Sequence, residues 1–298
     1  MQRMPIAAVN DIEIWHETFG DPDDPPLLLV NGLGSQATSW DVDLIQGFVD
    51  RGFYVIRFDN RDVGLSTKVD TPGLALGEAV LRAMAGQQID VPYKLTDMAA
   101  DAVALLDHLG IESAHIVGVS MGGMIVQTIA IEHPARVRTL TSIMSTTGNR
   151  TYGLPTPEAA AVLVRPAAKT RDEAITSSIE AQRIIGTQSE IDDHRLRTRA
   201  ETAYDRCYCP PGVGRQIIGV IASGDREDGL RALTTPTLVI HGSDDPLVGI
   251  TGGERTAELV RGAELLVIEG MAHDLPPVHW PQVIEAITTL AGKVEANG

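Results

Sequence analysis

Short apolar runs alternate with longer amphipathic stretches along most of the chain. The apolar runs have the length and composition of buried strands, and they lie at residues 27–30, 53–58, 115–119, 137–144, 237–240 and 263–268. Strict alternation at 12–17 is typical of an antiparallel edge strand. Helical spacing follows most of these strands, at 40–48, at 95–109, after residue 120, at 255–260 and at 281–291. This order predicts an α/β fold, with a mostly parallel central sheet and flanking helices.

The alternation stops between residues 147 and 228. This part contains helical patterns only, at 157–164, 171–185, 191–204 and 213–221. Because a helical insertion cannot extend a sheet, we expect it to lie over the sheet as a cap. The predicted organisation is therefore a core of residues 1–146 and 229–298 with a helical cap of residues 147–228.

One serine lies between a predicted strand and a predicted helix, in the sequence Gly118-Val119-Ser120-Met121-Gly122. A strand-to-helix turn this sharp strains the serine backbone, and bulky side chains two positions before or after it would collide. The turn lifts the serine hydroxyl above the sheet edge and directs the N–H of Met121 to the same point. We therefore predict Ser120 as a nucleophile, with Gly118 and Gly122 permitting the turn.

A serine hydroxyl needs a base to remove its proton, and that base needs an orienting acid. Among eight histidines, His273 follows the last predicted strand and so lies at the carboxyl edge of the sheet, where Ser120 also emerges. Asp244 and Asp245 follow the preceding strand at the same edge. Their side chains should diverge, and we favour Asp245, which precedes Pro246. The predicted catalytic residues are Ser120, Asp245 and His273.

The oxyanion that forms during attack on a carbonyl needs two hydrogen-bond donors. The N–H of Met121 is one. The other is expected from the loop after strand 27–30, where Leu33 follows Asn31 and Gly32. The Asn31 amide can brace this loop; the alternative, that Asn31 and Gly32 only form a turn, stays open.

Three charged residues after strand 53–58, namely Asp59, Arg61 and Asp62, are interpreted as a structural loop network. His241, at the end of an apolar strand, is assigned to packing. Cys207 and Cys209 lack metal-ligand spacing. Nucleotide-binding glycine motifs are absent. The sequence thus predicts no metal site and no cofactor.

Composition excludes several classes of partner. The formal net charge of −16 disfavours nucleic acid and anionic membrane surfaces. The apolar runs are too short to span a bilayer, and the first residues lack the apolar region of a signal peptide. Two cysteines separated by one residue do not suggest a structural disulfide. We expect a cytoplasmic globular protein.

Taken together, the motifs resemble those of the α/β-hydrolase superfamily over nearly the full length of the chain. Asn31-Gly32 resembles its His-Gly oxyanion turn, residues 59–66 its D-x-R-G-x-G-x-S loop, and residues 118–122 its nucleophile elbow. The loops at 241–246 and 270–273 resemble its acid and histidine loops. Within the superfamily the chain is similar to capped carboxylesterases of the aclacinomycin methylesterase type. It departs from the superfamily pattern at Asn31, which replaces a histidine, and at Asp62, which replaces a glycine.

The resemblance implies a cofactor-independent serine esterase acting on a small-molecule ester with an apolar acyl or alcohol part. A serine nucleophile argues against the dehalogenases and epoxide hydrolases of this superfamily, which use a carboxylate. The same triad also suits perhydrolase or haloperoxidase-like activity, carbon–carbon bond hydrolysis and lactone hydrolysis. A non-catalytic ligand-binding homologue is a further interpretation. The oligomeric state is left open.

Overall fold

The structure is a computed structural model that describes residues 5–71 and 75–295. Its sheet has eight strands in the order β1-β2-β4-β3-β5-β6-β7-β8. The strands are β1 (Ile6–Val9), β2 (Ile12–Phe19), β3 (Pro26–Val30), β4 (Tyr54–Phe58), β5 (Ala114–Val119), β6 (Val137–Ile143), β7 (Thr237–Gly242) and β8 (Glu264–Ile268). β2 pairs in antiparallel fashion with both β1 and β4, and β3 to β8 form the predicted parallel sheet.

Eleven α-helices connect or follow these strands in the described residues. They are α1 (Val42–Val49), α2 (Leu76–Met84), α3 (Leu95–His108), α4 (Met121–Glu132), α5 (Pro157–Leu163), α6 (Arg171–Ile185), α7 (Asp193–Arg206), α8 (Pro210–Ser223), α9 (Glu227–Ala232), α10 (Thr251–Leu259) and α11 (Trp280–Glu295). Residues 147–228 are all described and contain no strand, as the sequence predicts. No helix of the described ranges has the length and apolar character needed to cross a bilayer.

Two features of the sheet and its connections differ from the sequence prediction. The strand at 12–17 is antiparallel, as expected, but it is not an edge strand, because β1 pairs with its outer side. Helices α2 and α9 were not predicted. Helix α9 also contains the boundary at residue 228 that separates the predicted cap from the core.

Both faces of the sheet are covered, because neighbouring residues of its strands point to opposite sides. Ile116 of β5 packs into one core cluster together with side chains of α3 and α4. Val117, the next residue, packs into the other cluster with side chains of α1 and α11. Full burial of each such side chain stabilises the fold by roughly 1.5–3 kcal/mol. The carboxyl edge of the parallel strands is left for the loops that carry polar residues.

Candidate active site

Ser120 is held in a strained backbone conformation between β5 and α4. Its φ is 56° and its ψ is −120°, a region that costs a non-glycine residue about 1–3 kcal/mol. Two hydrogen bonds hold this backbone in place: the N–H of Ser120 donates to the carbonyl of Ile143 at 2.9 Å, and the Ser145 hydroxyl donates to the carbonyl of Ser120 at 2.8 Å. These two bonds therefore help to stabilise the strained conformation of Ser120.

The two elbow glycines lie where side chains have no room. A Cβ atom at Gly118 would overlap the carbonyl of Gly122, and one at Gly122 would overlap the carbonyl of Val30. Both obstacles are backbone atoms, which cannot move aside as a flexible side chain can. The close approach that the sequence predicts for these positions is thus present.

The structure brings the side chains of Ser120, His273 and Asp245 into one hydrogen-bonded series. Ser120 Oγ lies 3.0 Å from Nε2 of His273, and Nδ1 of His273 lies 2.7 Å from Oδ2 of Asp245. Asp244 is exposed, and its carboxylate accepts a hydrogen bond from the Ser243 hydroxyl at 2.8 Å. Of the two adjacent aspartates, only Asp245 faces the histidine.

The Asp245 side chain is fully buried. Burial acts to raise its pKa, but the charge of His273 and hydrogen bonds from His241, His273 and the N–H of Val248 outweigh it, and the pKa falls to about 2. Its other oxygen, Oδ1, accepts from the N–H groups of Leu247 and Val248, each at 2.9 Å. These bonds fix the carboxylate toward the imidazole.

His241 is packed directly beneath this carboxylate, a contact that the sequence did not reveal. It is fully buried, as the packing interpretation requires. Its Nε2 lies 2.7 Å from the carbonyl of Val248 and 3.5 Å from Oδ2 of Asp245. One feature of the sequence could have indicated this contact: His241 lies at the carboxyl end of β7, four residues before Asp245.

The loop that carries His273 is attached to the helical segment. The N–H of His273 donates to the carbonyl of Ile185 at 2.9 Å, at the end of α6. The Thr187 hydroxyl accepts from the N–H of Ala272 and donates to the carboxylate of Asp274. Residues 147–228 therefore help to set the position of the histidine.

The loop after β3 lies against the serine. A Cβ atom at Gly32 would come within 3.2 Å of Cβ of Ser120, so this loop passes close to the hydroxyl. The N–H groups of Leu33 and Met121 donate to no protein acceptor within residues 5–71 and 75–295. The Asn31 side-chain amide donates to the carbonyl of Phe58 at 3.5 Å, as the sequence suggests, and the backbone carbonyl of Asn31 accepts from Nδ2 of Asn60 at 3.1 Å.

The charged residues after β4 form the structural network that the sequence suggests. Asp59 accepts a hydrogen bond from the N–H of Ala37 at 2.6 Å. Arg61 forms a two-pronged ion pair with Asp101, with bonds of 2.6 and 2.7 Å. Asp62 pairs in the same way with Arg215 of α8, at 2.7 and 2.8 Å. These buried pairs join the core loops to one another and to α8.

In residues 5–71 and 75–295, no three His, Cys, Asp or Glu side chains are grouped so that they could hold a metal ion. Cys207 and Cys209 are free thiols, half-buried, between α7 and α8. The candidate site therefore consists of hydroxyl, imidazole and carboxylate groups together with backbone donors.

Known proteins share this architecture. The chain is 30% identical to the rhodomycin D methylesterase of Streptomyces peucetius, over 93% of this chain and 95% of that protein. It is 29% identical to 3-oxoadipate enol-lactonase 2 of Acinetobacter baylyi, over 92% and 91%. A thermophilic esterase from Thermogutta terrifontis superposes with a TM-score of 0.71 at 25% identity, over 98% of this chain and 97% of that one.

A meta-cleavage product hydrolase from Pseudomonas fluorescens superposes with a TM-score of 0.75 over 97% of each chain, and at 19% identity it shows the fold alone. The family described as "alpha/beta hydrolase fold" matches residues 25–279. Because this match covers most of the chain, the protein belongs to the alpha/beta hydrolase fold family.

Proposed function

We propose that the protein is a serine hydrolase that cleaves carboxylic esters through Ser120, His273 and Asp245. The observation that carries the proposal is the hydrogen-bonded series from Ser120 Oγ through the His273 imidazole to the buried Asp245 carboxylate, with contacts of 3.0 and 2.7 Å. Relatives named as methylesterases and esterases support the same reaction class.

In the proposed mechanism, Nε2 of His273 removes the Ser120 proton as Oγ attacks the ester carbonyl. Asp245 remains ionised, keeps the proton of the neutral imidazole on Nδ1, and stabilises the imidazolium that forms. The imidazolium then protonates the departing alcohol, which leaves an acyl group on Ser120. Water enters, His273 accepts its proton, and the acyl-enzyme is hydrolysed by the same steps.

The N–H groups of Leu33 and Met121 are proposed as the donors to the oxyanion. Their supporting feature is that both are free of protein acceptors in the described ranges while belonging to segments that meet at Ser120. Donors that are already in place stabilise the charge of the tetrahedral intermediate without reorganisation. The reaction as written needs no cofactor or metal ion.

Residues 147–228 are proposed as a helical cap that shapes the substrate pocket. The hydrogen bonds that the Ile185 carbonyl and the Thr187 hydroxyl accept from the N–H groups of His273 and Ala272 support this assignment. We further propose a small-molecule ester with an apolar acyl or alcohol part as the substrate class. Relatives named for methylesterase activity motivate methyl esters as the first compounds to test.

The decisive experiment is the Ser120→Ala variant assayed with p-nitrophenyl acetate and a panel of methyl esters. Loss of the nucleophile is expected to lower kcat by at least ~10³-fold while the melting temperature stays near the wild-type value. Ser113→Ala, at the opposite end of β5, is the matched control and should retain full activity. A Ser120→Ala protein with wild-type turnover would overturn the proposal.

Lactone hydrolysis by the same triad is the second candidate, because a relative at 29% identity is named as an enol-lactonase. Both reactions proceed through an acyl-enzyme on serine, so the triad alone does not separate them. Values of kcat/KM on matched esters, lactones and vinylogous diketones would do so. A preference of more than about tenfold for lactones, equal to about 1.4 kcal/mol in the transition state, would replace the esterase assignment.

A further inference from the structure

Gln216 of α8 lies between two backbone groups of the core and is fully buried. Its Oε1 accepts a hydrogen bond from the N–H of Gly34 at 2.9 Å. Its Nε2 donates to the carbonyl of Arg61 at 2.9 Å. Both ends of the amide are therefore used, and the two partners together fix its orientation.

The hydrogen bond between Gln216 and Gly34 anchors the turn that contains the N–H of Leu33. The N–H of Ser35 donates to the carbonyl of Gly32 at 3.2 Å, which places Leu33 and Gly34 at the centre of a β-turn. Gly34 has a φ of 64°, as the second central residue of a type II turn requires. Its N–H belongs to the central peptide, and rotation of that peptide converts a type II turn into a type I turn. The Gln216 acceptor holds it in one orientation.

The same turn meets α8 through packing, and the loop has a second tie to the helical segment. The side chain of Val213 lies against the α-carbon of Gly34 on the side where a Cβ would project. Further along the loop, Nε2 of Gln36 donates to the carbonyls of Ala203 and Cys207 at 2.6 and 2.9 Å. The segment of α7 and α8 therefore contacts the loop after β3 through both packing and hydrogen bonds.

We propose that Gln216 is a positioning residue for the oxyanion hole: it anchors the Leu33–Gly34 peptide and thereby holds in place the β-turn whose preceding peptide, Gly32–Leu33, carries the N–H proposed to face the oxyanion. The inference rests on the proposed function of Ser120 and Leu33. It assigns to the inserted helical segment a part in stabilising the transition state, in addition to shaping the pocket. Gln216 itself touches no reacting atom and acts only through the turn.

Gln216→Met tests this, because methionine has a similar length and removes both hydrogen bonds. Loss of one oxyanion donor lowers kcat by about 10²–10³-fold, and a donor that is misaligned but still present should lower it by about 10–100-fold. KM should change by less than about threefold, since the ground state gains little from this donor. Affinity for a trifluoromethyl ketone, whose adduct with Ser120 carries the oxyanion, should fall in parallel with kcat/KM. The pH dependence of kcat/KM should keep its midpoint, because the His273–Asp245 pair is untouched.

Ser223→Ala is the matched control on the same helix. The Ser223 hydroxyl also accepts from a core N–H, that of Leu95 at 3.0 Å, but at the far end of α8 from the loop. This variant should keep kcat and ketone affinity within about twofold of the wild type, as expected for a contact that is not part of the site. An equal loss of kcat in Ser223→Ala, or a folded Gln216→Met with wild-type kcat, would overturn the proposal.

Residue-resolved amide hydrogen exchange on the wild-type protein provides a measurement that does not depend on the variant folding. The Gly34 N–H should exchange slowly, and exchange at the rate of an exposed loop amide would also overturn the proposal.

The failure of the Gln216 proposal and the failure of the esterase proposal can be told apart. If Ser120→Ala is inactive and Gln216→Met is fully active, the esterase assignment stands and the role of Gln216 fails. If Ser120→Ala is fully active, the assignment on which Gln216 depends fails first.

Discussion

Replacing Asp245 by asparagine tests the acid of the site at almost constant volume. In the wild type, Oδ2 of Asp245 accepts from Nδ1 of His273, so the neutral imidazole leaves Nε2 free to take the proton of Ser120. An asparagine NH₂ group at that position donates instead. Nδ1 must then accept, Nε2 carries the proton, and the base is lost. A tautomer reversed in this way is expected to lower kcat by roughly 10³–10⁴-fold.

The same substitution has a measurable effect on stability at low pH. Burial acts to raise the pKa of Asp245, but the charge of His273 and the hydrogen bonds to the carboxylate lower it from 3.8 to about 2. This difference corresponds to about 2 kcal/mol of stability for a side chain that is fully buried. Because the native pKa lies below the unfolded one, the contribution is complete above about pH 4 and is lost as the pH falls toward about 2. An asparagine side chain does not ionise. Between about pH 4 and about pH 2, the free energy of unfolding of Asp245→Asn should therefore fall by about 2 kcal/mol less than that of the wild type.

The assay combines kcat on p-nitrophenyl acetate at pH 8 with urea unfolding at several pH values. Asp244→Asn is the control, and its exposed carboxylate predicts kcat within about twofold and unfolding free energy within about 0.5 kcal/mol of the wild type. If Asp245→Asn kept more than a tenth of the wild-type kcat, or if Asp244→Asn lost as much, the assignment of the acid would be refuted. Identical acid sensitivity in wild type and Asp245→Asn would refute the reasoning about its pKa.

Two further substitutions test the elbow and the attachment of α8. Gly118→Ala should lower the unfolding free energy by at least ~1–3 kcal/mol, because the new Cβ overlaps the Gly122 carbonyl; Gly292→Ala, in an open position of α11, should raise it by about 0.5–1 kcal/mol. Urea unfolding of both variants checks the difference, and equal effects would contradict the elbow geometry. Arg215→Met should destabilise by about 3–5 kcal/mol, because it removes the cationic partner of the buried Asp62 carboxylate, which then keeps hydrogen bonds from the Tyr93 hydroxyl and the N–H of Val69. If urea unfolding showed that Arg215→Met is as stable as the wild type, the Arg215–Asp62 pair would not be what holds α8 to the core.

Much of the core was predictable because its parallel strands are short and rich in apolar residues. β3, β4 and β7 are buried along nearly their whole length, so each contains a run of at least three consecutive apolar residues, although β4 also carries Arg57 and β7 carries Thr237 and His241. Alternation with helices then implies parallel connections and one common carboxyl edge. Ser120 and His273 could be placed at that edge, since Ser120 follows β5 directly and His273 lies in the loop that follows β8; the Gly-x-Ser-x-Gly motif then singled out the serine.

The elements that the sequence did not reveal are short and lie outside the alternation of strand and helix. β1 has only four residues, and it is recognisable as a strand only through its pairing with β2. α2 has nine residues, and its apolar side packs against Ile218 of α8 and not against the sheet. Its helical pattern is present, but the order of strands and helices in the core gives no reason to expect a helix there.

Single long-range hydrogen bonds were beyond the reach of sequence patterns. Gln216 and Gly34 are 182 positions apart and meet through one bond, so neither residue carries a local sign of the other. His241 and Asp245 are only four positions apart, and the burial of His241 was predictable from the apolar strand, but their contact depends on how the loop folds back. Polar residues inside apolar surroundings are the signal that both cases share, because a buried amide or imidazole must find partners.

These contacts physically link the proposed cap to the proposed catalytic residues. The end of α6 accepts from the N–H of His273, and α8 accepts from the N–H of Gly34, so both sides of Ser120 are bonded to the inserted segment. A rigid departure of residues 147–228 would break both bonds at once, and would displace the base and the proposed oxyanion donor together. Changes to the pocket that leave kcat intact must therefore spare the carbonyl of Ile185 and the amide of Gln216. Substitutions on α5 to α8 that also spare the contacts of Val213, Ala203 and Arg215 with the core are expected to alter KM first, since they reach Ser120 only through bound substrate.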